Sequence, residues 1–166
     1  MADDFVFDIK QIKNIQQMKD VFVKAIKNNL NDVLENLEDN SINDSLDEVI
    51  MGVFVIIDGS AWPYFICQLI DKKNPKNILN CLHDRYYDSE YDIEYKAFFE
   101  DIKKRRNQVM NDNNLNDIQK IYSMLFSVLV IIDGANSQKI KYDLVLEDNP
   151  KIRIDNLYDL IKNNIK

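Results

Sequence analysis

A chain of 166 residues with 46% apolar side chains and only three glycines and three prolines has the composition of a helix-rich globule and excludes a disordered or fibrous polymer. Its 28 acidic residues outnumber 21 basic ones, for a formal charge of −7. That sign disfavours gripping a nucleic-acid backbone, which needs a basic face to release counterions, and favours a basic partner.

Two cysteines and one histidine are too few for a disulfide framework or a Cys/His metal site, and they suit a reducing compartment. The acidic start Met1-Ala2-Asp3-Asp4 is unlike a secretion signal, and no apolar run approaches the roughly 20 residues that span a bilayer. The expectation is a cytoplasmic protein with no cofactor, no nucleic acid and no membrane contact. Heavy use of Asn, Ile, Lys, Asp and Tyr is what AT-rich codons produce and suggests a bacterial source.

Taken in order, Phe5, Phe7 and Ile9 alternate as in a short strand or extended arm. Residues 11–38 carry Ile15, Met18, Val21, Phe22, Ala25, Ile26, Leu30, Val33 and Leu34 at helical spacing, which predicts one long amphipathic helix. A polar loop comes next, and Ser45-Leu46-Asp47-Glu48 reads as a capping box opening a second helix over 46–58. That helix places Leu46, Val49, Ile50, Val53, Phe54 and Ile57 on one face and further apolar residues behind it, so it is expected to be buried nearly all round.

Its end organises the chain. Val53-Phe54-Val55-Ile56-Ile57-Asp58-Gly59 recurs 75 positions later as Val128-Leu129-Val130-Ile131-Ile132-Asp133-Gly134. Aligned without a gap, residues 52–85 and 127–160 agree at 12 of 34 positions, including Asn74-Pro75-Lys76 on Asn149-Pro150-Lys151. A weaker match one residue out of register sets Phe22, Ile26 and Lys27 on Phe98, Ile102 and Lys103. The pattern predicts an α+β, mostly helical fold. It is a tandem repeat of helix, helix, strand and short helix, with repeat one at 11–86 and repeat two at 87–166 of a single compact domain.

Within each unit, Gly59 and Gly134 are expected to end the second helix in the left-handed conformation. Asp58 and Asp133, set against the negative end of the macrodipole, are expected to accept hydrogen bonds from the amides of their own turns or to form a ligand site together. A strand then runs over 64–71 and 139–147, with Phe65, Cys67 and Leu69 matching Ile140, Tyr142 and Leu144 inward, and Ile66 and Gln68 matching Lys141 and Asp143 outward. One strand per unit leaves both edges open, so the two are expected to pair antiparallel about a pseudo-twofold axis. Asn-Pro-Lys turns the chain out of each strand, and short helices come next near 78–86 and 156–164. Between the copies Ser89 is expected to cap a helix whose acids gather at its start and whose Lys103-Lys104-Arg105-Arg106 lies at its end.

Ile57-Asp58-Gly59, the strand at 64–71 and Leu82-His83-Asp84 together resemble a group of small bacterial proteins in which an apolar helix ends in Ile-Asp-Gly, a strand comes after it and a Leu-His-Asp helix closes the unit. The second copy keeps Ile132-Asp133-Gly134 and has Leu157-Tyr158-Asp159 for the closing motif. Proteins of this look are suspected immunity proteins for bacterial toxins, and the resemblance implies no reaction.

His83 stands two residues from Cys81, off the same helical face, and no phosphate loop or nucleophile elbow is present, so an enzyme is not expected. The acidic and aromatic stretch Tyr86, Tyr87, Asp88, Glu90, Tyr91 and Asp92 is the expected surface for a basic protein partner, a toxin in the immunity-protein reading. The alternatives are a small-molecule or metal-binding protein using Asp58 and Asp133, and a homodimeric scaffold. The chain is expected to be a monomer or homodimer.

Overall fold

A computed structural model describes residues 13–58, 67–74, 76, 78–79, 81–92, 95–134, 141–146 and 149–165. The expected N-terminal arm, Gly59, the strand residues 64–66, 139–140 and 147, and Pro75 lie outside the described residues. The architecture is α+β and mostly helical, in the order α1 (Ile15–Glu35), α2 (Ile42–Ile57), β1 (Cys67–Asp71), β2 (Ile78–Leu79), α3 (Leu82–Tyr87), a 3-10 turn (Ser89–Tyr91), α4 (Lys96–Met110), α5 (Asp117–Ile132), β3 (Tyr142–Leu146), β4 (Asn149–Ile154) and α6 (Leu157–Asn164).

Helix α1 starts at Asn14, whose side chain accepts the Gln17 amide at 2.9 Å, and it buries Met18, Val21, Phe22, Ala25, Ile26, Leu30 and Val33 as the period requires. Helix α2 begins a turn earlier than the capping-box pattern predicts. Its cap is Ser41, whose Oγ accepts the Asp44 amide at 3.1 Å, while Ser45 lies inside the helix, fully buried, with its hydroxyl unpartnered. The start is local in origin, since Ser41 is itself a capping hydroxyl, and Arg106 of α4 braces that first turn by reaching across to Asn43 and Asp47. Helix α5 has the reciprocal box that α2 lacks, with Asn116 and Gln119 each bonded to the other's amide.

The β-branched run at 53–57 is helical, and Val53, Phe54, Ile56 and Ile57 are buried, as are Val128, Leu129, Ile131 and Ile132 of α5. The two helices pack on each other in the centre of one contiguous apolar cluster that draws on every helix and on β1, β3 and β4. Gly52 of α2 leaves room for the Asn29 carboxamide of α1, which would have to move to admit a Cβ there. Gly134 has φ 80°, the left-handed end expected of α5.

The sheet has four strands in the order β2-β1-β3-β4, all neighbours antiparallel. Strands β1 and β3 lie side by side with Leu69 opposite Leu144, Cys67 opposite Leu146 and Asp71 opposite Tyr142. Neither strand is alone in its half, because each also forms a hairpin, with β2 and β4 respectively. Two expectations are corrected by this. Asn149-Pro150-Lys151 does not leave the sheet but opens β4, where an edge strand tolerates a residue with no amide hydrogen. Ile78 and Leu79 are β2, and the first short helix starts at Leu82.

Leu69, Tyr142 and Leu144 face the core as expected. Asp143, expected outside, is only 5% exposed, and Lys72 just past the end of β1 at 2.9 Å and Arg153 of β4 at 3.2 Å neutralise it.

Helix α4 also departs from its pattern. Its first turn carries no acid, and the basic tetrad sits mid-helix with no basic residue in the last turn. Three of the four cations are tied to other elements instead. Arg105 donates to the Ser127 hydroxyl at 3.0 Å, Arg106 to Asp47 at 2.6 Å, and Lys103 lies 5.2 Å from the centre of the Tyr86 ring. The tetrad therefore bridges α4 to α2, α3 and α5, and does not complement a helix terminus. No described helix is long and apolar enough to cross a membrane.

Candidate functional site

A carboxylate at the last turn of an apolar helix faces partial negative charge, so its position needs a compensating partner. Neither Asp58 nor Asp133 finds it in its own turn, as the sequence suggests. Asp58 reaches to the start of α3, where the Leu82 amide donates to Oδ1 at 2.8 Å and the His83 amide to Oδ2 at 3.1 Å. Asp133 does the same at the start of α6, with the Leu157 amide on Oδ1 at 2.9 Å and the Tyr158 amide on Oδ2 at 2.8 Å. Each carboxylate satisfies two of the orphan amides that open a helix and sits at that helix's positive end, which offsets the repulsion from the helix it terminates.

The two couplings differ in the side chain that carries the second amide. His83 Nδ1 lies 2.6 Å from Asp58 Oδ2, and Nε2 lies 3.3 Å from Asp84 Oδ1, so the imidazole is held between a buried and an exposed carboxylate. Nδ1–H donation to Asp58 leaves Nε2 as the outward nitrogen. In the other half Tyr158 takes the place of His83 and packs edge-on to Phe126 at 5.7 Å. Burial pushes the Asp133 carboxyl up to about 6, with the Tyr158 and Leu157 amides and Lys72 pulling it back.

The Asp58–His83 pair is the feature that sequence reasoning missed. Its signal was present: His83 lies the same distance after Asp58, 25 residues, as Tyr158 after Asp133.

An orienting carboxylate and an imidazole are two parts of a general-base arrangement, which also needs a nucleophile at the outward nitrogen. The group found at Nε2 is the Asp84 carboxylate. Cys81 is free and exposed at the cap of α3 with φ 53°. Among the described residues no group of three or more His, Cys, Asp and Glu side chains is placed to hold a metal ion. Asp58 and Asp133 point to the starts of separate helices, so the shared ligand site considered for them finds no support in where their oxygens go.

The acidic and aromatic segment runs directly on from α3. Tyr86 is not part of its surface: it is 7% exposed and packs edge-on against Phe54 at 5.6 Å and Phe99 at 6.2 Å. Burial, aided by Asp47 and opposed by Arg106, pushes its hydroxyl up to about 12. Asp92 is also committed to the fold, accepting the Tyr95 amide at 2.8 Å and lying 3.4 Å from Arg85. Ser89 is buried in the 3-10 turn and is not the cap of α4, which is Tyr95.

Four of the six residues expected at the surface remain. Tyr87 and Tyr91 are 72% and 77% exposed, and Asp88 and Glu90 are exposed beside them. Tyr91, Asp88, Asp84, Arg85 and Asp92 line a shallow cavity of about 290 Å³. Arg85 is occupied at its rim, stacked 4.8 Å above the Tyr95 ring and paired with Asp92. Asp84 joins the surface only because α3 turns it toward Asp88, one helical turn on. Compared with known proteins, the chain matches no family model, no curated protein and no solved structure.

Proposed function

We propose that this is a protein-binding module of the cytoplasm that docks a basic protein, most concretely an immunity or antitoxin protein masking a basic toxin, and that it is not an enzyme. The observation that carries the reading is the pair Tyr87 and Tyr91, exposed at 72% and 77% beside Asp84, Asp88 and Glu90. Such large aromatic side chains cost little rotamer entropy to immobilise, and carboxylates around them steer a cationic partner and reject acidic ones. The surface stands on a rigid base, since Tyr86, Ser89 and Tyr95 beneath it are buried. Arginine or lysine side chains of the partner fit the cavity between Tyr91 and the carboxylates of Asp84 and Asp88.

The framework behind this surface is proposed to be a tandem duplication, with the halves related by a pseudo-twofold axis at Leu69 and Leu144 inside one domain. Three features support it. The β1–β3 register pairs Cys67 with Leu146 and Asp71 with Tyr142, so each strand meets the other at mutually corresponding positions. Asp58 and Asp133 bind amides at equal separations. Asn74 and Asn149 each accept the amide two residues on, at 3.4 and 3.3 Å.

The test is site-specific photo-cross-linking from position 91 in the source cell, then calorimetry with the captured protein after purification. A basic protein captured at that position, whose affinity falls about a hundredfold in Tyr87→Ala/Tyr91→Ala with the fold intact, is the expected result. Failure to capture a basic protein, or undiminished affinity in the double variant, overturns it.

A further inference from the structure

At the opposite seam of the molecule, α1, α5 and α6 surround a cleft of about 420 Å³, within the range of small-ligand sites. Lys27, Asn31, Tyr122 and Asn163 supply its polar rim, with Leu30 and Ile165 among its apolar lining. No carboxylate is among its described lining residues, although the chain as a whole is strongly acidic, and Lys27 forms no ion pair among the described residues. We infer that this cleft binds a small organic anion bearing hydrogen-bond donors, a hydroxy acid or an amino acid. The carboxylate meets Lys27, and the donor groups meet the carboxamide oxygens of Asn31 and Asn163.

The corresponding seam, between α4, α2 and α3, is filled differently, and comparing the two rests on the proposed duplication. There Lys103, the counterpart of Lys27, is held over the Tyr86 ring, and the gap between α4 and α2 is bridged by Arg106 on Asp47 at 2.6 Å. In the α1 seam the positions of Arg106 and Asp47 are taken by Leu30 and Tyr122, which cannot form that bridge. One half closes its seam with an internal Arg106–Asp47 pair, and the other has neither member of that pair and leaves Lys27 at an open cleft without a carboxylate among the described lining residues. A ligand carboxylate gives Lys27 a counter-charge there. Carboxamides around it discriminate in favour of anions that also donate, and the small volume limits the ligand to roughly the size of a few residues at most.

The test is titration of the whole protein with gluconate, serine, inorganic phosphate and glucose, monitored by the amide and carboxamide NMR signals of residues 27–31 and 163–164. Gluconate or serine is expected to shift these signals saturably. The affinity should fall at least about tenfold in Lys27→Met, the loss of one charge-assisted contact. Phosphate and glucose are expected to be weaker than the better of the two acids. Tyr122→Asp, which places a carboxylate within the cleft to compete for Lys27, is expected to abolish binding and leave the chain folded. The inference is overturned if neither acid shifts the signals, if glucose or phosphate matches the acids, or if Lys27→Met binds them unchanged. Loss of binding in Lys27→Met together with retained binding in Tyr122→Asp would keep the site and overturn the correspondence of the seams, without touching the Tyr87 and Tyr91 surface.

Discussion

The α2–α3 half and the α5–α6 half solve one problem in the same way and then diverge. In both, a buried helix ends in an aspartate that reaches across the intervening hairpin to hold the first amides of a later helix. The next residue differs: His83 forms a second bond to its aspartate, while Tyr158 turns its ring to Phe126 and Lys162. After that, α3 continues into the tyrosine-rich surface and α6 borders the cleft against α1. The shared part is what the fold needs, and the divergent parts are where the two candidate binding surfaces lie. A carboxylate that holds two amides at a joint is tied to the fold, whereas Tyr87 and Tyr91 beyond one joint and Asn163 beyond the other are exposed.

The sharpest way to break this comparison is to remove the two anchors. Asp58→Ala and Asp133→Ala each strand two amides, and at about 1–3 kcal/mol for each buried unsatisfied group, urea denaturation should show a loss of about 3 kcal/mol or more in both. A large loss in one and none in the other would mean that the joints are not equivalent.

Next in size is the bridge present in one seam alone. Arg106→Met removes bonds to Asp47 and Asn43 and the support of the first turn of α2, and it is expected to cost about 1–3 kcal/mol by the same measurement. Lys27→Met, its neighbour's counterpart in the other seam, should change stability by less than about 0.5 kcal/mol, as an exposed side chain with no ion pair among the described residues.

A pH series distinguishes the halves electrostatically. Because the Asp133 carboxyl is raised from 3.8 to about 6 in the fold, the native state binds more protons than the unfolded chain between those values. Its contribution is fully present below about pH 4 and declines as pH rises to about 6. Asp133→Asn should flatten that part of the stability profile, and an unchanged slope would contradict the assignment. Tyr86 has the same sign at higher pH: stability should decline from about pH 10 to about 12, and Tyr86→Phe should remove the decline.

The smallest expected effect on folding is at the proposed docking surface. Tyr87→Ala and Tyr91→Ala should each move the melting temperature little, consistent with less than about 0.5 kcal/mol, because both rings are mostly in solvent. A large destabilisation would show that these rings belong to the fold.

Sequence alone determined the apolar helices, their buried faces and the inward facing of Leu69, Tyr142 and Leu144, because those arise from a repeating period that each segment carries within itself. The antiparallel pairing of β1 with β3 was legible too, whereas the register that sets Leu69 opposite Leu144 was not. Tertiary structure decided everything that depended on a distant partner. It decided that Asp58 binds Leu82 and His83, that Arg106 braces the first turn of α2, and that Asp143 is buried between two cations. It also turned Tyr86 inward and Tyr87 and Tyr91 outward, although all three lie in one stretch of similar composition. Period is a local property, written every few residues. A carboxylate's choice of amide, or a ring's choice of core or water, is fixed only when elements far apart in the chain come together.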